Sequence, residues 1–156
     1  MSGRALADVA HQNTAIIHAT CVALDGRGLL ILGTAGAGKS ALALRMMALG
    51  AELVADDRVV LTMEAEKVLV DAPLAIRGLI EARGVGLLRA QSVGPVNLSY
   101  VVDLDQTETA RLPDVTEIRA LRQTVPLLRG AGVPNLASAL MQLLKMGRVD
   151  PEWPST

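Results

Sequence analysis

Leu29-Leu30-Ile31-Leu32-Gly33-Thr34-Ala35-Gly36-Ala37-Gly38-Lys39-Ser40-Ala41-Leu42-Ala43-Leu44 is the stretch that decides the fold. Its centre, Gly33–Ser40, matches G-x-x-x-x-G-K-[ST] in full. Glycines let successive backbone N–H groups turn into one concavity, which suits phosphate oxygens. The first turn of a following helix adds unpaired N–H groups and the positive end of a dipole. Lys39 brings a compact cation to the β- and γ-phosphates, and Ser40 offers a hydroxyl to Mg²⁺. The motif means this only between a strand and a helix, and Leu29–Leu32 and Ala41–Leu49 supply both. The competing reading is a glycine-rich turn that merely packs a helix on a sheet. A chance match in a chain of this length is expected about once in a hundred from average residue usage, before the flanks are considered. The loop Gly33, Thr34, Ala35, Gly36, Ala37, Gly38, Lys39 and Ser40 is therefore the predicted binding site for a nucleoside triphosphate with Mg²⁺.

Outward from the loop, Thr14–Leu24 reads as a strand joined to Leu29–Leu32 by the turn Asp25-Gly26-Arg27-Gly28. Ser40–Leu49 reads as a helix with Gly50 as its C′ residue, and Ala51–Ala55 as a short strand ending at Asp56-Asp57. Val59–Met63 and Lys67–Val70 suggest a hairpin. Two short apolar stretches follow within Leu74–Leu88, then a turn at Gly94-Pro95, a strand over Val96–Leu104 and a polar loop over Asp105–Asp114. Asn135 is the predicted N-cap of a helix reaching about Met146, with Gly147 after it. The expected organisation is one catalytic domain over 1–147 and a loosely ordered tail over 148–156. The class is α/β with a mixed sheet.

Composition narrows the function. Of 156 residues, 51% are hydrophobic, yet there is no Phe, one Trp and one Tyr. A core can form, but it is aliphatic, and two aromatics (Tyr100 and Trp153) make no stacking platform for single-stranded nucleic acid. The net charge of −1 leaves no general basic footprint for nucleic acid and no polybasic membrane patch. No apolar run approaches the ~20 residues of a membrane span. Met1–Gln12 lacks the basic start and apolar stretch of a signal peptide. The lone Cys21 excludes an internal disulfide and fits a reducing compartment. The expectation is a cytoplasmic protein without nucleic-acid or membrane partners. The aliphatic excess fits self-association through an apolar patch and fits a well-packed core equally, so a homo-oligomer stays open.

The adjacent acids Asp56-Asp57 stand directly after an apolar strand. Neighbouring strand residues point to opposite sides, so both can serve one site only at a turn or strand end. An acid in this place commonly holds Mg²⁺ in phosphate-loop proteins. Two acids allow a division between binding the metal and receiving a proton. A solvated acid pair, or a turn stabilised by Asp side chains, is the competing reading. His18, alone in an apolar strand, is by itself most simply a hydrogen-bonded structural residue.

Taken together, His18-Ala19-Thr20, Gly28–Ser40, Ala43-Leu44, Gly50 and Leu53-Val54-Ala55-Asp56-Asp57 resemble HPr kinase/phosphorylase, specifically its catalytic domain. Glu81-Ala82-Arg83-Gly84-Val85-Gly86-Leu87-Leu88 is similar to a further signature of that family. Val125-Pro126-Leu127-Leu128-Arg129-Gly130 resembles a remnant of its C-terminal signature. The resemblance covers roughly Ile16–Leu88 and implies a short form consisting of the C-terminal catalytic domain. It implies a mixed-sheet kinase domain of the HPr kinase / PEP carboxykinase-like type. The implied activity is serine phosphorylation of an HPr-type phosphocarrier of a phosphotransferase system, with reverse phosphorylase activity open. It also implies roles: Asp56 as the base, His18 as its orienting partner, Lys39 and Arg83 as catalytic or phosphate-contacting cations, and Ser40, Asp57 and Glu81 around the metal. A small-molecule kinase and a nucleotide-sensing regulatory module are the alternative functions.

Overall fold

The structure is a computed structural model that describes residues 2–151. The strands, in chain order, are β1 Thr14–Ile17, β2 Thr20–Leu24, β3 Arg27–Leu32, β4 Glu52–Ala55, β5 Val59–Glu64, β6 Lys67–Asp71, β7 Leu79–Ala82, β8 Gly86–Arg89, β9 Val96–Thr107, β10 Thr116–Ala120 and β11 Gln123–Ala131. The α-helices are α1 Ser2–Ala7, α2 Lys39–Ala48 and α3 Leu136–Met146.

Among the described residues, nine of these strands form one mixed sheet. Its centre is parallel: β3 lies beside β9, and β9 beside β11. The flanks are antiparallel, with β2 and β4 on one side of β3 and β6, β5 and β1 on the other side of β9. β7 and β8 form a separate antiparallel hairpin. The central strand β3 is buried on both faces and therefore reads as an unbroken apolar run rather than an alternation. Leu29 and Ile31 enter one core cluster, together with Leu42 and Met46 of α2 and Leu140 and Leu144 of α3. Leu30 and Leu32 enter the other, with Val59, Leu61, Val70 and Leu121. Each such fully buried side chain contributes about 1.5–3 kcal/mol relative to exposure, so the strand that leads into the loop is firmly seated.

The predicted α/β mixed sheet is the observed architecture. Four details differ. The strand expected over Thr14–Leu24 is two strands, because β1 pairs with β5 whereas β2 pairs with β3 and β4. The break falls at His18-Ala19, where the Ala19 N–H donates to the Asp57 carbonyl oxygen at 3.3 Å. The loop expected from Asp105 begins later, since β9 runs on to Thr107 beside β11. The β10–β11 hairpin had no prediction, because Pro126 and mixed polar residues hide its alternation. Asn135 sits at the N-cap of α3, but in a left-handed conformation (φ 53°, ψ 37°) and with no capping bond from its side chain. The tail predicted from residue 148 lies mostly outside the described residues. No helix among the described residues is long and apolar enough to cross a membrane.

Candidate active site

The loop's shape follows from its glycines. A Cβ on Gly33 would stand 2.9 Å from the Ala37 Cβ, so only glycine lets the chain double back here. Gly38, the N-cap of α2, holds φ 97°, in the left-handed region where side chains are strained. Lys39 is buried, and its Nζ donates to the Gly33 carbonyl at 2.7 Å and the Thr34 carbonyl at 3.3 Å. The ammonium is thus held over the loop by its own backbone. The loop is also tied to the end of β9. Thr34 donates from its N–H and its hydroxyl to the Asp105 carboxylate, at 3.0–3.1 Å. Asp105 in turn donates its N–H to the buried Asp103 carboxylate at 2.9 Å.

Asp56 follows β4 directly and is buried. Its Oδ1 accepts from the Ser40 hydroxyl at 2.7 Å and from the fully buried Thr20 hydroxyl at 2.9 Å. Its Oδ2 accepts from the Glu81 N–H at 3.0 Å. That last bond docks the β7–β8 hairpin on the site. Asp57 has φ 71°, which breaks the strand alternation and brings both acids to one side. Its carboxylate is open to solvent, 61% exposed, and stands 3.2 Å from His18 Nδ1. Arg58 lies farther away at 3.9 Å, and an exposed pair at that distance contributes little.

One cavity of about 640 Å³ gathers these groups. Its walls include His18, Ala35, Gly36, Gly38, Lys39, Ser40, Asp56, Asp57, Glu81 and Arg83, all of them predicted from the sequence. Three loop residues stand apart. Gly33 presents its carbonyl to Lys39, and Ala37 lines a neighbouring cavity. Thr34, expected to bind phosphate, has its N–H committed to Asp105 instead. The resemblance groups Ser40 with Asp57 around the metal, whereas in the structure Asp56 accepts from Ser40 and Asp57 is turned toward His18. Sequence reasoning missed Thr20 and Asp105 as parts of the site. Thr20 was legible as a hydroxyl in an otherwise apolar strand. Asp105, 71 positions from Thr34, left no local signal.

The chain's residues 9–105 match the family model described as HPr Serine kinase C-terminal domain. The chain belongs to the HPr serine kinase C-terminal domain family. Curated relatives of this family include HPr kinase/phosphorylase of Caldicellulosiruptor bescii, 41% identical over 124 residues, covering 76% of this chain and 40% of that protein. The namesake from Mycoplasmopsis pulmonis is 30% identical and is matched across 86% of this chain and 50% of its own length. The chain thus spans about half the length of the curated relatives it matches. Such matches reach well past Leu88, where the motifs fade. The solved structure of the Hpr(Ser) kinase/phosphatase from Coxiella burnetii shares the fold, with a TM-score of 0.72 at 23% identity over 84% of this chain and 88% of that one.

The site's donors suit a hard cation: a hydroxyl on Ser40 and carboxylates on Asp56 and Glu81. Among the described residues, no group of three His, Cys, Asp or Glu side chains could hold a metal by itself.

Proposed function

We propose that this chain is an ATP-dependent protein serine kinase domain that phosphorylates an HPr-type phosphocarrier. The observation that carries the reading is that one cavity joins Lys39 and Ser40 of a complete phosphate loop to two acids and a histidine. The names of the relatives support the choice of acceptor, and the reading puts the chain in the cytoplasm with its ATP.

Phosphoryl transfer asks the protein for alignment and charge neutralisation rather than covalent chemistry. The loop's N–H groups and Lys39 neutralise the phosphates. Mg²⁺, when bound, withdraws charge from the β- and γ-phosphate oxygens, and Ser40, Asp56 and Glu81 would hold it. Asp56 serves here because it already shares a hydrogen bond with Ser40, and its remaining oxygen is taken by the Glu81 N–H. Asp57 is the acid left open to an incoming hydroxyl. It accepts the serine proton while the serine oxygen bonds to the γ-phosphorus and the bond to the β–γ bridging oxygen breaks. His18 fixes the carboxylate's orientation from 3.2 Å. Arg83, on the hairpin at the cavity rim, contacts the transferred phosphate or the acceptor. In the reverse direction, protonated Asp57 returns the proton to the serine oxygen as inorganic phosphate displaces it.

The test is transfer from γ-labelled ATP to a purified HPr-type carrier. Wild type should label a serine of the carrier and Lys39→Ala should not. Label released as free phosphate with an unlabelled carrier, or transferred to a metabolite, would refute the protein-kinase reading.

A further inference from the structure

Asp103 is a buried carboxylate to which the mechanism above gives no role. It sits on β9 between two parallel neighbours, level with Leu32 of β3 on one side and Arg129 of β11 on the other. Burial obliges a carboxylate to find donors, and two of these come from its own strand. Oδ1 accepts from the Asp105 N–H at 2.9 Å, and Oδ2 accepts from Gln106 Nε2 at 2.8 Å. The other end of the Gln106 amide, Oε1, accepts from Arg129 Nε at 3.1 Å. A register shift in β11 falls just after Arg129, at Gly130. A Cβ on Gly130 would stand 2.9 Å from the side chains of Val102 and Leu104, so glycine lets β11 press close on β9 here.

We propose that Asp103, Gln106 and Arg129 are positioning residues for the phosphate loop. The inference rests on the nucleotide-binding reading of that loop and adds what holds the loop in shape. The polarity of the contacts is forced. A guanidinium only donates and a carboxylate only accepts, so the Gln106 amide turns its oxygen to Arg129 and its nitrogen to Asp103. Asp103, held from that side, fixes the Asp105 backbone through the N–H that it accepts. The Asp105 carboxylate then takes the N–H and the hydroxyl of Thr34 at 3.0–3.1 Å. The Thr34 carbonyl is one of the two oxygens that hold the Lys39 ammonium. Contacts thus run without a gap from Arg129 through Gln106, Asp103, Asp105 and Thr34 to the cation that meets the phosphates. Asp103, Gln106 and Arg129 do not line the cavity that gathers the site, so they act through the loop and not on the ligand. A loop fixed in advance gives up less freedom when the triphosphate binds, so loosening it weakens nucleotide binding.

The experiment measures equilibrium ATP affinity with Mg²⁺, and the melting temperature alongside. The proteins are wild type, Gln106→Glu, Asp103→Asn, the double variant of both, Arg129→Met and Lys39→Ala. Gln106→Glu sets carboxylate against carboxylate, and Asp103→Asn sets amide nitrogen against amide nitrogen. Each should weaken ATP about tenfold. The double variant exchanges the two groups: the new amide donates to the new carboxylate, which still accepts from Arg129. Its ATP affinity should return to within about threefold of wild type. Arg129→Met removes the donor at the partly exposed far end, which keeps the test open if a change at buried Asp103 prevents folding. It should weaken ATP about threefold or more. A lower melting temperature with wild-type ATP affinity in Gln106→Glu and Arg129→Met would reduce these residues to contacts between strands and overturn the proposal. A double variant as weak as the weaker single would overturn it too. Lys39→Ala should weaken ATP in any case; wild-type affinity there would overturn the phosphate-loop reading and this inference with it.

Discussion

Asp56 and Asp57 are neighbours in sequence with opposite environments, and that contrast sets the chemistry. Asp56 receives two hydroxyls and a backbone N–H, whereas Asp57 meets solvent, His18 and, farther off, Arg58. Asp56→Asn should therefore act through the metal: the Mg²⁺ concentration needed for nucleotide binding rises, as a magnesium titration at fixed ATP would show. His18→Ala should lower turnover and leave ATP affinity near wild type, because His18 meets the Asp57 carboxylate, the proposed proton acceptor. At the same scale, Cys21 is fully buried, and burial pushes its thiol up, only partly offset by a hydrogen bond with the Leu29 backbone. The unfolded chain would lose this proton near the ordinary value of 9.0, while the folded chain keeps it. Fewer protons on the unfolded side mean that stability falls as pH rises above that value and is unaffected below it. Iodoacetamide at neutral pH should leave Cys21 unmodified in the native protein and modify it in urea.

Among elements, the turn from β3 through the loop into α2 was fully legible, because its residue types are dictated by local geometry. Glycine alone fits at Gly33 and Gly38, and the apolar run before them belongs to a strand covered on both faces. The division between β1 and β2 was not legible, since Thr14–Leu24 is uniformly β-prone and only the pairing partners separate its halves. That Asp56 rather than Asp57 bonds Ser40 was hidden for a related reason: it depends on the φ of Asp57, which the sequence does not display. The β10–β11 hairpin was missed because Pro126 and mixed polar residues hide its alternation. The clamp between Thr34 and Asp105 belongs to this scale as well. Asp105→Ala should release the loop's entry, raising amide hydrogen exchange at Thr34 and its neighbours while the melting temperature changes little. On the opposite face of α2, Met46→Ala removes a fully buried side chain and should cost about 2–5 kcal/mol in denaturant unfolding.

At the scale of the molecule, the sheet is a platform that collects distant segments at one edge of the helical layer. β2 supplies Thr20 and the break between β1 and β2 supplies His18; the β3–α2 turn supplies the loop; the end of β4 supplies both acids; the β7–β8 hairpin supplies Glu81 and Arg83. No one of these segments makes a site alone. Their convergence explains why the sequence motifs, scattered over Ile16–Leu88, read together. The family match extends on to residue 105, the Asp105 that accepts from Thr34. The account stands on Asp57 as the group that takes the acceptor's proton inside this assembly. Single-turnover transfer from γ-labelled ATP to an HPr-type carrier, measured for wild type and Asp57→Asn with ATP affinity determined alongside, tests it most directly. The predicted result is transfer slowed by about 10²–10⁴-fold at nearly unchanged ATP affinity; transfer by Asp57→Asn at the wild-type rate would contradict it.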